Sequence, residues 1–174
     1  MGLNNYSPAN FKIAKKLLRG KNPVVSRLVL KKISSWSLLN SKELFLETVR
    51  KGNSFSIREN ALDLIWKYRD GSKTLDESLE SLLLELLSEP SEPVYLNAYA
   101  KFKTILSREH HPRLRKIIDK ADEKRLPSLF KLLCANNITR RDSILIIKKI
   151  DSLKDAKTQC LKKVEYGRKK LYRY

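Results

Sequence analysis

Residues 20–33 read GKNPVVSRLVLKKI, and a related pattern returns 32 positions later as GNSFSIRENALDLI in residues 52–65. The offset aligns Gly20 with Gly52, and it aligns four apolar residues with four others: Val25, Val29, Leu30 and Ile33 with Ile57, Ala61, Leu62 and Ile65. Within each copy the apolar residues are three or four positions apart, which is typical of one face of an α-helix. The two copies therefore predict equivalent helices in two successive structural repeats.

The same helical spacing runs through almost the whole chain, and no alternating strand pattern competes with it. Gly20, Gly52 and Gly71 follow basic or polar turns, the usual place of a glycine just after a helix. Prolines stand where new apolar stripes begin, as prolines in the first turn of a helix do: Pro8, Pro23, Pro93, Pro112 and Pro127. The pattern predicts an all-α protein of about nine or ten helices joined by short loops.

Two of the predicted core stripes are relevant below. The helix after Pro23 is expected to bury Val25, Leu28, Val29 and Ile33, and a later helix is expected to bury Ile144, Ile147 and Ile150. A third copy of the repeat fits at residues 94–98, 37 positions after Ile57, and residues 111–115 open in the same way. The length of 174 residues suits one domain of ordinary size.

A helix that opens as Asn/Asp-Pro-x-Val-Arg-x-x-Ala, after a first helix of similar length, resembles the HEAT-type helical repeat. Residues 22–25, 57–61 and 112–115 carry the match, as Asn-Pro-Val-Val, Ile-Arg-Glu-Asn-Ala and Pro-Arg-Leu-Arg. The resemblance implies a right-handed α-solenoid of stacked antiparallel helix pairs, HEAT- or armadillo-like, with residues 1–174 as a single helical-repeat domain. Signature arginines of such repeats, here Arg58 and Arg115, bridge neighbouring repeats as readily as they contact a ligand. A compact, non-repeating helical bundle is the alternative fold.

Positive charge is in large excess, with 37 Lys and Arg residues against 19 Asp and Glu residues and a formal net charge of +18. Residues 1–41 carry +8, residues 101–135 carry +6 and residues 136–174 carry +8, whereas residues 75–100 carry −6. Solubility of a small domain needs a net charge of only about 2–8 in magnitude. The excess therefore indicates a polyanionic partner.

Many of the cations recur at spacings that place them on one face of a helix. The candidate nucleic-acid-binding residues are Lys12, Lys16, Arg27, Lys31, Arg140, Arg141, Lys148, Lys149, Lys162, Lys163, Arg168, Lys169, Lys170 and Arg173. Residues 153–174 are predicted as a basic C-terminal helix or arm, in which Tyr166, Tyr172 and Tyr174 can stack on unpaired bases. Cations repeated along a curved helical array would follow a phosphate backbone.

These features predict a non-enzymatic nucleic-acid-binding protein that contacts RNA or DNA through phosphates. RNA in a ribonucleoprotein is slightly favoured, because no recognition-helix motif for the major groove is present. The alternative is a protein–protein interaction scaffold of a larger complex, in which the acidic stretch 76–92 docks a basic partner. A remote alternative, suggested by the resemblance, is a HEAT-like DNA glycosylase that holds a damaged base near Trp36, Trp66 and Asp70.

Motifs for catalysis are absent from the sequence: it contains no Gly-rich phosphate loop, no Gly-x-Ser-x-Gly and no His-Glu-x-x-His. His110 and His111 are adjacent, point in different directions on a helix and are expected in a loop with a solvated or capping role. We therefore expect no enzyme activity, no metal and no cofactor. The chain has no secretory signal and no apolar run near about 20 residues, so we expect an intracellular, cytoplasmic protein without a membrane partner.

Overall fold

The computed structural model describes residues 3, 5–67, 77–135 and 137–150, and it contains no strand within them. The α-helices of this part are α1 (Pro8–Leu18), α2 (Pro23–Ile33), α3 (Leu38–Lys51), α4 (Phe55–Lys67), α5 (Glu77–Leu86), α6 (Glu92–Ile105), α7 (His111–Lys120), α8 (Leu126–Ala135) and α9 (Arg140–Ile150). A 3-10 helix, Arg108–His110, precedes α7. The all-α prediction is confirmed, with contacts mostly between neighbouring helix pairs. The predicted helix or arm of residues 153–174 lies outside the described residues.

The chain divides into two compact units, residues 1–99 and residues 100–174. The first unit contains α1 to α5 and α6 as far as Tyr99. The second unit contains the rest of α6, the 3-10 helix and α7 to α9. The single helical-repeat domain over residues 1–174 stays a prediction.

Proline and capping residues define the helix starts as the sequence predicts. Pro8 and Pro23 are the first residues of α1 and α2, and α6, α7 and α8 each have a proline at the second position. The Ser7 hydroxyl accepts a hydrogen bond from the backbone N–H of Asn10, 3.1 Å away. The Asn22 side chain accepts two such bonds at the start of α2. These side chains satisfy N–H groups that have no partner within the helix.

Gly52 follows α3 as predicted, but its backbone is not in the left-handed conformation typical of such glycines, since φ is −59° and ψ is 146°. Space accounts for the glycine instead. A Cβ at Gly52 would lie 2.6 Å from the Thr48 carbonyl oxygen and 2.9 Å from Cγ of Arg58. The glycine therefore permits the close approach of α3 and α4 at their connection.

Within the first unit, α1 packs on α2, α3 packs on α4, and α2 also packs on α4. Side-chain bonds join alternate helices: Lys15 Nζ to Glu47 Oε2 (3.0 Å), Arg50 Nε to Glu85 Oε2 (3.0 Å) and Asn97 Nδ2 to Asp63 Oδ1 (3.2 Å). Bonds from α1 to α3 and from α3 to α5 place the odd-numbered helices side by side. Contacts from α2 to α4 and from α4 to α6 do the same for the even-numbered helices.

The aligned repeat positions share one environment in α2 and α4. Buried residues 32 positions apart are Val29 and Ala61, Leu30 and Leu62, and Ile33 and Ile65. Two expectations about the core are wrong: Leu28 is 60% exposed and Ile144 is 45% exposed. In α2 the buried face runs instead through Ser26, Val29, Leu30 and Ile33, and in α9 it runs through Asp142 and Ile146.

Trp36 holds the N-terminal segment of the first unit. Its indole is buried, and Nε1 donates a hydrogen bond to the carbonyl oxygen of Leu3, 3.0 Å away. The ring of Tyr6 meets the indole edge-on, with 5.6 Å between ring centroids. Trp36 therefore packs between chain segments rather than facing a ligand.

Candidate nucleic-acid interface

The excess positive charge belongs mostly to the second unit. Residues 100–174 contain 22 Lys and Arg residues against eight Asp and Glu residues, a net charge of +14. Residues 1–99 contain 15 against 11, a net charge of +4. The second unit therefore attracts a polyanion more strongly than the first.

Helix α7 carries a stripe of cations that the candidate set does not include. His111, Leu114 and Ile118 form its buried face. Arg113, Lys116 and Lys120 are exposed on the opposite side, at positions i, i+3 and i+7. The sequence contains this spacing as a signal, since residues so spaced share a helix face.

Helix α9 carries the candidate residues of the last described segment. Arg140, Arg141 and Lys148 are exposed on the side opposite Asp142 and Ile146, which are buried. Lys149 is half-buried and points elsewhere, because its Nζ donates to the backbone carbonyl oxygen of Asp119 in α7, 2.9 Å away. Three of the four α9 candidates thus share one exposed surface, and the fourth joins α9 to α7.

Asp142 fixes α9 beside α7. Its Oδ1 accepts from Arg115 Nη1 at 2.6 Å, and its Oδ2 lies 2.9 Å from His111 Nδ1. The same carboxylate accepts from the backbone N–H and the hydroxyl of Thr139 at the start of α9. The exposed cations of α7 and of α9 lie on the sides of their helices that face away from these bonds.

We call the exposed cations of these two helices, taken together, the α7–α9 basic face. Its members are Arg113, Lys116, Lys120, Arg140, Arg141 and Lys148. Packed helices have axes about 8–10 Å apart and rise about 1.5 Å per residue. The cations therefore form two rows, one on each helix, and each row can contact phosphates of a nucleic acid.

The carboxylate of Asp142 stays charged without neutralising this face. Burial would raise the pKa of Asp142, but hydrogen bonds from Thr139, Arg115 and His111 outweigh burial and lower the pKa below its usual value. The carboxylate is fully buried on the inner side of α9. Its negative charge is compensated by Arg115, which is not a member of the face.

Both histidines are buried, so the expectation of a solvated role is wrong. His110 ends the 3-10 helix, and its Nδ1 accepts from the backbone N–H of Ser107 at 2.9 Å, a capping role. Its ring also meets Phe102 edge-on at 5.1 Å. His111 begins α7 rather than lying in a loop. The two histidines are buried because they contact residues of other helices and turns. Their adjacent positions in the sequence do not predict these contacts.

The candidates in the first unit do not form one surface. Lys12 and Lys16 are exposed on α1, opposite the buried Ala14 and Leu18. Arg27 and Lys31 are exposed on α2, opposite the buried residues of that helix. Because α1 and α2 pack against each other, the two pairs lie on opposite sides of the helix pair.

Neighbouring cations of the first unit are paired with carboxylates. Lys15 contacts Glu43 and Glu47, and Arg19 also binds Glu47. Hydrogen bonds to Glu47 and Glu43 raise the pKa of Lys15. Burial would raise the pKa of Glu47, but hydrogen bonds from Arg19 and Lys15 lower it. These pairs interrupt any continuous track of free positive charge along α1 and α3.

The acidic stretch 76–92 also contributes to internal pairing. Glu85 binds Arg50 of α3, and Glu89 accepts from Arg58 Nη1 at 3.0 Å. Arg58 also donates to the carbonyl oxygen of Val49 at 2.6 Å. Arg58 and Arg115 therefore both bind carboxylates of later helices or turns. Of the two roles expected for these arginines, bridging and ligand contact, this is the bridging role. Fewer acidic side chains remain for a basic partner.

The remaining predicted site residues lie outside the described residues: Lys162, Lys163, Arg168, Lys169, Lys170 and Arg173. Asp70, one of the residues of the glycosylase hypothesis, lies outside them as well. Trp66 is half-buried in α4, and Trp36 is buried against Leu3 and Tyr6. The indole of Trp36 is thus covered by residues of its own chain.

No family model, no curated protein and no solved structure matches the chain. In the described ranges, no helix is long and apolar enough to cross a membrane. Within the same ranges, no three His, Cys, Asp or Glu residues are grouped so as to hold a metal ion. The α7–α9 basic face is therefore the feature from which a function is inferred.

Proposed function

We propose that this protein is a non-enzymatic nucleic-acid-binding protein and that the α7–α9 basic face contacts the phosphate backbone. One observation carries the proposal. Six cations are exposed on the solvent sides of α7 and α9, and the carboxylate of Asp142 on α9 is buried and bound to Arg115. Phosphates attract such a surface directly and release counterions when they bind it.

RNA is slightly favoured over DNA as the ligand. Phosphate contacts alone give affinity without reading base edges. Neither basic helix carries a known motif for reading the major groove, whereas backbone and shape recognition is common for RNA. The ligand class is therefore a nucleic acid bound without strong sequence preference.

We also infer that α1 to α6 are degenerate HEAT-like repeats in a right-handed stack. Three features support this inference: buried residues recur at an offset of 32, alternate helices are joined by side-chain bonds, and Arg58 of α4 binds Glu89, 31 residues later. Stacked repeats bury the apolar face that one helix pair leaves exposed.

The direct test compares the affinity of two double variants that lose the same charge. Affinity is measured by fluorescence anisotropy with a labelled single-stranded RNA 20-mer and with a duplex of the same length. Lys116→Gln/Lys120→Gln removes two cations of the α7–α9 basic face. Lys12→Gln/Lys16→Gln removes two exposed lysines of α1 and is the matched control. We expect the first variant to lose affinity about tenfold and the control less than about twofold, because only the first removes phosphate contacts.

An equal loss of affinity in the two variants would show that affinity depends on the net charge of the protein, and it would contradict the proposed face. A wild-type protein that binds neither ligand at physiological salt would contradict nucleic-acid binding and favour the interaction scaffold. Circular dichroism melting curves of both variants check that the fold is retained. Lys162, Lys163, Lys169 and Lys170 changed together to Gln test the C-terminal candidates: unchanged affinity removes them from the interface.

A further inference from the structure

Helix α2 presents aliphatic side chains to solvent beside its cations. Val24 is 65% exposed and Leu28 is 60% exposed, the two highest values among the large hydrophobic residues of the described part. They are four positions apart and therefore lie on one face. Arg27 and Lys31 are exposed on the same side of the helix. We call these four residues the α2 face.

The α2 face is not a displaced part of the core. The opposite side of α2 is filled by Ser26, Val29, Leu30 and Ile33, of which Ile33 and Ser26 are fully buried. The Asn22 cap fixes the first turn of the helix. Rotation of α2 to bury Val24 and Leu28 would expose this packed side, so the two aliphatic residues stay in solvent unless another molecule covers them.

Two cations, Arg27 and Lys31, flank the aliphatic pair. Arg27 is held toward α4, where its Nη2 donates to the Ser56 hydroxyl at 3.3 Å. Residues 1–41 contain eight cations and no acidic residue. A ligand for this face therefore gains from apolar groups that cover Val24 and Leu28 and from carboxylates that reach Arg27 and Lys31.

We propose that the α2 face binds an acidic amphipathic segment of a partner protein. Such a segment, as a helix, places apolar residues at i, i+3 or i+4 and i+7 against the aliphatic pair. Its acidic residues flank this apolar row and pair with Arg27 and Lys31. The site is separate from the α7–α9 basic face and does not depend on the function proposed for it.

Other occupants fit the α2 face less well. Phosphates gain nothing from aliphatic side chains, and bases stack on aromatic rings, of which α2 has none. The α7–α9 basic face has the opposite balance, with six cations and one exposed aliphatic residue, Ile144. A second copy in a two-fold dimer would bring Arg27 and Lys31 against the same cations, which repel.

The test is a peptide-display selection from a random 16-residue library on the full-length protein. The library is counter-selected on the Val24→Ser/Leu28→Ser variant, whose changes are on the surface. We expect enriched peptides to be rich in Asp and Glu and to carry apolar residues three or four positions apart. A synthetic copy should bind this variant at least tenfold more weakly and Arg27→Gln/Lys31→Gln severalfold more weakly. It should bind Leu96→Ser, an exposed leucine of α6, like the wild type.

Three outcomes overturn the inference. The first is a selected pool without acidic enrichment or with equal binding to Val24→Ser/Leu28→Ser. The second is a wild-type dimer in sedimentation velocity together with a monomeric Val24→Ser/Leu28→Ser variant. This result would show that a second copy of the protein occupies the α2 face. The third is loss of RNA affinity in this variant, which makes the occupant a nucleic acid. Lys116→Gln/Lys120→Gln should bind the peptide like the wild type, so the two proposals fail independently.

Discussion

Asp142 is the residue on which the position of α9 depends most directly. Its buried carboxylate binds Thr139 within the first turn of its own helix and Arg115 and His111 on α7. A carboxylate at a helix N-terminus is favoured by the helix dipole and by free backbone N–H groups. Here the same group also links two helices, so its removal leaves buried donors without partners.

Replacement of Asp142 by Asn should lower the free energy of unfolding by about 3 kcal/mol at pH 7, because Arg115 and His111 lose a buried charged partner. Urea titration followed by circular dichroism measures the difference. Asp119→Asn is the control: Asp119 is exposed on α7, and its substitution should change stability by less than about 0.5 kcal/mol.

The loss in Asp142→Asn should depend on pH. The pKa of Asp142 in the folded protein is below its usual value of 3.8, so the charged carboxylate stabilises the fold above that value. This stabilisation is lost as the pH falls through the lowered pKa. The gap between variant and wild type should therefore narrow below about pH 4. A gap that is constant from pH 7 to pH 3 would contradict the role of the charge.

At the scale of elements, the connection between α3 and α4 leaves no space for a side chain at residue 52. Gly52 lies against the Thr48 carbonyl and the aliphatic part of Arg58, whose guanidinium is held by Glu89 and the Val49 carbonyl. Neither neighbour can move easily, since one is backbone and the other is fixed at its far end. Any side chain at residue 52 must displace one of them.

Gly52→Ala should lower the free energy of unfolding by about 2 kcal/mol because of this overlap. Gly20→Ala is the matched control at the equivalent position of the repeat. Its Cβ would meet the Leu17 carbonyl oxygen at 3.1 Å, a milder contact, and the substitution also reduces the entropy of the unfolded chain. Thermal melts of the two variants compare them, and equal stabilities would show that space is not the reason for Gly52.

The positions of the helices in the sequence were largely predictable, whereas the side that each helix buries was not. Pro23 and Pro112 mark the starts of α2 and α7 because proline has a fixed φ and lacks an N–H group. Apolar spacing in α2 fits two overlapping faces, and Leu28 belongs to the one that the structure exposes. The choice between them depends on contacts with α1 and α4, which local periodicity does not contain.

The site was predictable only in part for a similar reason. The spacing in the sequence predicts Arg140, Arg141 and Lys148 as site residues. The cations of α7 belong to the candidate site because α7 packs against α9, and the sequence does not show this packing. The pairing of Arg58 with Glu89, 31 positions away, likewise depends on tertiary structure. Spacing within one helix predicts shared faces, and it says little about which faces of different helices adjoin.

At the scale of the whole molecule, charge is distributed unequally between the two units. The first unit has nearly balanced charge and pairs many of its cations internally, whereas residues 100–174 carry a net +14. Exposed surface pairs contribute little to stability, but they remove cations from contact with a polyanion. The long-range field of the protein is therefore concentrated on the second unit.

Salt should weaken RNA binding steeply if the α7–α9 basic face contacts phosphates. Six contacts on a single strand predict a slope of about −4 in log affinity against log salt, and on duplex DNA about −5. Anisotropy titrations from 50 to 300 mM KCl measure the slope. Lys116→Gln/Lys120→Gln should make it shallower by about 1.4 on the single strand. A slope near zero, or one unchanged in the variant, would contradict phosphate contacts by this face.

Both tryptophans of the protein, Trp36 and Trp66, belong to the first unit, and the indole of Trp36 is shielded by Leu3 and Tyr6. Tryptophan emission, excited selectively over tyrosine, therefore reports on residues 1–99 alone, while far-ultraviolet ellipticity sums over the helices of both units. A single unlabelled sample, heated once and read by these two optical signals, measures whether the two units melt as one cooperative body or in succession.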